Sequence, residues 1–175
     1  MVRFAEINQT DGTDLLIEPD AAARRTIAEA LALDGLRKLR FEVAIRPEGT
    51  RDWRLEAKLG ATVVQPCVVT LEPVTTRIDE RVLRRYLSDL PAPEPGEVEM
   101  PEDDSAEPLP ATLDLSDVMI EALSLALPAY PRAPGVPPLE VAVTEPGQTP
   151  LTDADVKPFA GLSALRDRLA GDAEE

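Results

Sequence analysis

Histidine is absent from this 175-residue chain, and cysteine occurs once, at Cys67. Without histidine the commonest general base is missing, and so is the usual partner of a nucleophilic serine or cysteine. A zinc site needs about four Cys or His ligands, and a single one is available. A lone cysteine allows no internal disulfide, which suits a reducing cytosol. Neither a GxxxxGK phosphate loop nor a GxGxxG turn is present. Aromatic residues supply 3% of the chain against 43% for all hydrophobic residues, so any core is mostly Leu, Val, Ile and Ala. No apolar run approaches the roughly 20 residues of a membrane helix. The opening residues, Met1-Val2-Arg3-Phe4-Ala5-Glu6, lack the basic and then apolar regions of a secretory signal. These absences predict a soluble cytoplasmic protein with no membrane association, cofactor, metal or catalytic residue.

Basic residues are also scarce, but only in the second half. The net charge of −15 divides into 14 Lys/Arg against 15 Asp/Glu over residues 1–90, and 4 against 18 over residues 91–175. Between Pro91 and Val156 the only basic residue is Arg132. An acidic surface of that kind repels nucleic acid phosphates, DNA included, and favours basic partners, although acidity also serves simple solubility.

A chain of this length is sufficient for one domain with a real core. Residues 2–8 read as a short strand closed by the Asp11-Gly12 turn. Asp20 caps an expected helix over 21–33, with Ala23, Ile27, Ala30 and Leu31 on one face and Gly35 beyond it. Apolar residues then alternate along 39–46, and again at Trp53, Leu55, Ala57, Leu59, Ala61 and Val63. Period two sustained this long predicts half-buried antiparallel strands joined by the Pro47–Thr50 turn. Cys67 lies in the next bend, and a third strand follows over 74–79; strand and short helix both remain open for 80–87. Residues 91–110 hold six prolines and seven acidic residues, which predicts a disordered linker. Ser116 caps an expected helix over 117–127, ended by Pro128 and Pro131. Phe159, Leu162, Leu165 and Leu169 space a last helix over 159–169.

The expected architecture is therefore α+β: an antiparallel β-sheet, able to close into a partial barrel, packed by an N-terminal helix and two C-terminal helices. Residues 1–90 form a β-rich half with one helix, 91–110 an acidic linker, and 111–175 a helical half completing the same single domain.

Little in this pattern carries chemistry. Cys67 reads as a small buried hydrophobe at a strand end. Glu102-Asp103-Asp104 is a solvated charge run. Asp117 and Glu121 stack on one helix face, and acidic residues at a helix start are favoured by its dipole, so they need not be catalytic. A small hydrolase using Asp114 and Glu121 is the enzymatic alternative. The basic residues on strands or strand ends are the one nucleic-acid signal. Arg51, Arg54, Lys58, Arg84 and Arg85 are candidate RNA contacts, weighed against an ordinary mixed-charge sheet surface.

Three segments carry a resemblance to a known family. Cys67, Thr70 and Leu71-Glu72-Pro73 are similar to a C-x-x-C-L-E/D-P turn, with Thr70 where a second cysteine often stands. The run from Leu113 to Pro128, with Asp114 and Glu121, looks like a D-L-x-x-x-x-x-E-x-L-x-L-x-L-P helix. Lys157-Pro158-Phe159-Ala160-Gly161-Leu162 is similar to the N/R-P-F-A-x-L opening of a last helix. Together they resemble the YceD family, the large ribosomal RNA subunit accumulation proteins, over residues 40–170. The resemblance implies a bacterial, non-enzymatic ribosome biogenesis factor supporting synthesis, processing or stability of 23S rRNA. Its partner would be a large-subunit precursor, met as a basic ribosomal protein or as the rRNA itself. Family members with more cysteines suggest a metal-stabilised turn, which a threonine at position 70 rules out here. An acidic adaptor or chaperone without a ribosomal role is the alternative from another class.

Overall fold

The computed structural model describes residues 1–90 and 105–137. Its organising feature is the predicted alternation. β3 (Gly35–Glu48), β4 (Asp52–Pro66) and β5 (Pro73–Leu87) form a continuous antiparallel ribbon, and every odd residue of β4 from Trp53 to Val63 is buried. β2 (Thr13–Ile17) pairs antiparallel with the outer side of β3, and β6 (Ala106–Pro108) pairs parallel with the end of β5. The sheet order is β2-β3-β4-β5-β6, and among the described residues no ladder joins β2 to β6. A separate two-stranded sheet pairs β1 (Val2–Arg3) with β7 (Thr112–Leu113).

The α+β expectation is corrected here. The molecule is mostly β, with two helices among the described residues, and its main sheet is mixed because β6 runs parallel to β5. The extreme N-terminus, expected as a strand over 2–8, keeps only two strand residues before a 3₁₀ turn at Phe4–Glu6. That turn rolls Phe4 under the sheet, where its ring lies 5.7 Å from Trp53 and 5.4 Å from Tyr86. Three of the chain's few aromatic rings thus close one end of the core. Of the expected sheet-covering helices, the described residues contain two, and they cover the sheet unequally. α1 (Ala21–Ala30), capped by the Asp20 carboxylate accepting from the Ala23 N–H at 2.8 Å, buries only Ile27 and Ala28. It ends three residues early because Ala32 turns into the left-handed region (φ 51°). The expected helix over 159–169, with Pro158 and Phe159, lies outside the described residues.

α2 (Leu115–Ala126) does cover the sheet, burying Leu115, Val118, Met119, Ala122 and Leu123. It starts before the expected residue 117, and its cap is Asp114 rather than Ser116: the Asp114 carboxylate accepts from the Ser116 N–H at 2.9 Å. The open region 80–87 is strand throughout. Residues 106–108, inside the segment expected as linker, form β6. Gly12 is required by contact: at φ +70° a Cβ would stand 2.0 Å from the Ile45 carbonyl oxygen.

Among the described residues two buried side-chain atoms lack a hydrogen-bond partner, the Gln65 Oε1 near the Cys67 turn and the Tyr86 Oη in the core. Tyr86 is 1% exposed and its Oη has no hydrogen-bond partner. Burial, more than the nearby Glu107 carboxylate, pushes its pKa up to about 12. An orphaned buried hydroxyl carries a desolvation cost with no return. Tyr86→Phe is therefore expected to leave unfolding stability unchanged or raise it by up to ~1 kcal/mol in urea titration; a loss beyond ~2 kcal/mol would show that the hydroxyl is bonded after all.

Candidate functional site

The ladder register sorts the basic residues by parity. Side chains of a strand alternate between faces, and Arg54 stands opposite both Arg46 and Arg85, while Lys58 stands opposite Glu42 and Arg81. Arg54, Lys58 and Arg85 therefore share the outer face of the sheet. Arg51 sits in the exposed β3–β4 turn. Arg84 does not join them. It lies opposite buried Leu55, on the inner face, with a side chain 15% exposed. The buried neighbours Ile78 and Tyr86 share its even parity, a signal present in the sequence once the segment is read as strand.

Most outer-face cations are neutralised by adjacent carboxylates. Arg40 donates to Glu42 at 2.7 Å and Glu18 at 2.8 Å, Arg46 to Asp14 at 2.6 Å, and Arg54 to Glu56 at 2.6 Å. Arg77 binds both oxygens of Asp79 and holds that carboxyl below its ordinary range, while Arg85 reaches Glu48 at 3.0 Å. Exposed pairs of this kind each contribute ~0–1 kcal/mol. Their larger effect is to bring the face close to neutrality. Among the described residues, Lys58 and Arg81 make no such pair.

Arg84 instead ties three elements together. Its Nη1 donates to Glu107 of β6 at 2.5 Å and its Nη2 to Glu121 of α2 at 2.8 Å. Glu121 is thereby a clamp between helix and sheet, and Asp114, seven residues earlier, is a cap. These are separate structural tasks.

The Cys67 turn is strapped from a distance. The Gln65 amide donates to the Pro128 carbonyl at 3.2 Å and the Val68 N–H to the Pro131 carbonyl at 2.9 Å. Cys67 Sγ accepts from the N–H groups of Thr70 at 3.5 Å and Ala133 at 3.4 Å. Leu71 takes the left-handed conformation (φ 60°), which lets the Cys67 N–H reach the Glu72 carbonyl at 2.8 Å. The Thr70 Oγ1 accepts from the Glu72 N–H at 3.4 Å, so this threonine closes the turn by hydrogen bonding. The thiol has no exposed surface. It sits in a turn outside the main core, so desolvation is the smallest influence on it. Hydrogen bonds from the Thr70 hydroxyl, and then from the Thr70, Ala133 and Val69 N–H groups, hold its pKa down to about 6 from 9.0.

This arrangement can stabilise negative charge on sulfur, and the hydrogen bonds that reach it among the described residues come from backbone N–H groups and the Thr70 hydroxyl. Among the described residues, no group of three or more His, Cys, Asp or Glu side chains could hold a metal ion. No helix among them is long and apolar enough to cross a membrane. Comparison with protein families finds one model that matches, described as large ribosomal RNA subunit accumulation protein YceD, over residues 55–166. No curated protein and no solved structure gives a match.

The Cys67 environment makes a pH prediction. The folded thiol loses its proton at lower pH than the unfolded one, so between about 6 and 9.0 the unfolded chain binds more protons and stability rises with pH. Below pH 6 that contribution is absent. Thiolate absorbance is expected to titrate near 6, with slow alkylation because the sulfur is enclosed, and Cys67→Ser is expected to flatten the rise in denaturation midpoint. A thiol titrating near its ordinary value, or alkylated at the rate of an open thiolate, would contradict this.

Proposed function

This chain belongs to the YceD family of large ribosomal RNA subunit accumulation proteins, and from that premise we propose that it is a non-enzymatic assembly factor of the large ribosomal subunit. It supports 23S rRNA in the cytoplasm by holding a basic ribosomal protein. The observation that carries this reading is the division of charge. The β-rich residues 1–90 are nearly balanced, and their arginines are mostly spent on neighbouring carboxylates. Residues 91–175 carry 18 acidic residues against 4 basic ones. A surface so charged attracts basic chains and steers them at long range.

The family's signature residues fit a scaffold better than a catalyst. Cys67, Leu71, Glu72 and Pro73 shape a turn, Asp114 caps α2, and Glu121 clamps α2 to β5 through Arg84. Each would be selected for holding the fold that presents the acidic segments. Pro158 and Phe159 belong to the undescribed part of the chain.

Affinity capture of the tagged full chain from cell extract, with and without RNase, tests the partner class. A basic large-subunit protein is expected to remain bound after RNase and to be released as salt is raised, because the attraction is screened. Association that disappears with RNase would sink the protein-partner mechanism.

A further inference from the structure

The outer sheet face has one place where the charge pattern is left open. Lys58 and Arg81 stand directly opposite each other across the β4–β5 ladder. Like charges in that position repel and are ordinarily relieved by a neighbouring acid. The acids nearest in register are already engaged: Glu42, the other neighbour of Lys58, accepts from Arg40, and Asp79 is gripped by Arg77. Among the described residues neither Lys58 nor Arg81 has an ion-pair partner, so an ammonium and a guanidinium group stand adjacent on this face.

The shape at this point is also particular. Gly60 lies between Arg40 and Asp79 in the next row. A Cβ at Gly60 would stand 2.8 Å from the Arg77 Nη2, so the missing side chain is what allows that guanidinium to lie across the strand. Arg40, Lys58, Arg77 and Arg81, together with the carboxylates of Glu42, Asp79 and Glu80, line a dip of about 380 Å³ that includes Gly60. It adjoins a broader concavity of about 1000 Å³ on the same face, which includes Leu16 and Leu83, 52% and 46% exposed.

We propose that this dip is an anion subsite that takes a backbone phosphate of RNA, with Lys58 and Arg81 as the direct contacts. Arg40 and Arg77 frame it. A phosphate offers several acceptor oxygens to these donors and relieves the cross-strand repulsion. A nucleic acid strand suits the site better than an isolated anion, because the concavity beside it supplies apolar surface for a sugar or base. Arg54, Arg46 and Arg85 continue the row beyond, each held by a carboxylate. The site goes beyond the protein-partner reading and does not depend on it: the chain would carry a basic protein on its acidic segments and touch RNA through the sheet.

Binding of a short fluorescein-labelled single-stranded RNA to the full chain, followed by anisotropy across a salt series, tests this. Each phosphate contact on a single strand contributes about 0.7 to the slope of log K against log salt, so Lys58→Gln/Arg81→Gln is expected to lower that slope by about 1.4. The charge-keeping swap Lys58→Arg/Arg81→Lys should retain the slope. Gly60→Val, which fills the dip with charge unchanged, should weaken binding several-fold. Arg24→Gln/Arg25→Gln on α1 should change nothing. Thermal unfolding of each variant separates lost binding from lost folding. An unchanged slope in the folded Lys58→Gln/Arg81→Gln variant would overturn the site. A glutamate-rich peptide bound as tightly as the RNA, with the same dependence on Lys58 and Arg81, would overturn its assignment to RNA. Neither result bears on RNase-resistant capture of a basic protein, so the two readings fail separately.

Discussion

The long antiparallel pairing of β3, β4 and β5 is the constraint on which everything else depends. Its register, unbroken from Trp53–Tyr86 to Pro66–Pro73 along the β4–β5 ladder, sends one set of side chains to the core and the other to solvent. A slip by one residue would exchange the two faces entirely. The inner face, with Phe41, Ile45, Leu55, Leu59 and Val63 almost fully enclosed, supplies the hydrophobic stabilisation. The outer face is then free to carry charge in any pattern the ladder can neutralise. Its arginines and carboxylates sit close enough, on one strand or across two, to do that at nearly every position.

Arg84 is the exception that completes the fold. It occupies an inward position on β5, where an unpaired cation would be costly, and it is compensated by two carboxylates from elements distant in sequence. Glu107 brings β6 to the sheet edge, and Glu121 holds α2 across it. At the other end of the sheet, the strap from Pro128 to Ala133 closes over Cys67. α2 is thus fixed near its middle by a salt bridge, and the segment that follows it by N–H···S bonding.

Much of this was legible beforehand because period two is a strong signal. The strands over 39–46 and 53–63, their hairpin, the Asp20 cap and the bend at Cys67 follow from local pattern alone. The α+β layering failed for a specific reason. An amphipathic stripe such as that of 21–30 shows that a helix has an apolar side, but not how much sheet that side will cover. β6 was hidden by its composition, since Ala106-Glu107-Pro108 has no strand character; it exists because Glu107 meets Arg84 and backbone pairing at Arg85–Leu87 is available. Among the candidate RNA contacts, Arg84 was misplaced while 80–87 remained open between strand and helix. Treating it as strand puts Arg84 inside and Arg81 outside. The cap at Asp114 in place of Ser116 is a one-residue ambiguity that only geometry resolves.

Membership of the YceD family ties the chain to large ribosomal RNA subunit accumulation, and the proposed role there is one of binding. The most direct measurement is the ribosome profile and 23S rRNA level of a strain lacking this chain. Large-subunit particles and 23S rRNA are expected to fall, and to be restored equally by the intact chain and by Asp114→Asn/Glu121→Gln, which keeps the cap and clamp hydrogen bonds but removes any carboxylate chemistry. Unchanged 23S levels on deletion, or restoration by the intact chain alone with the variant folded and present, would contradict a non-enzymatic role in large-subunit assembly.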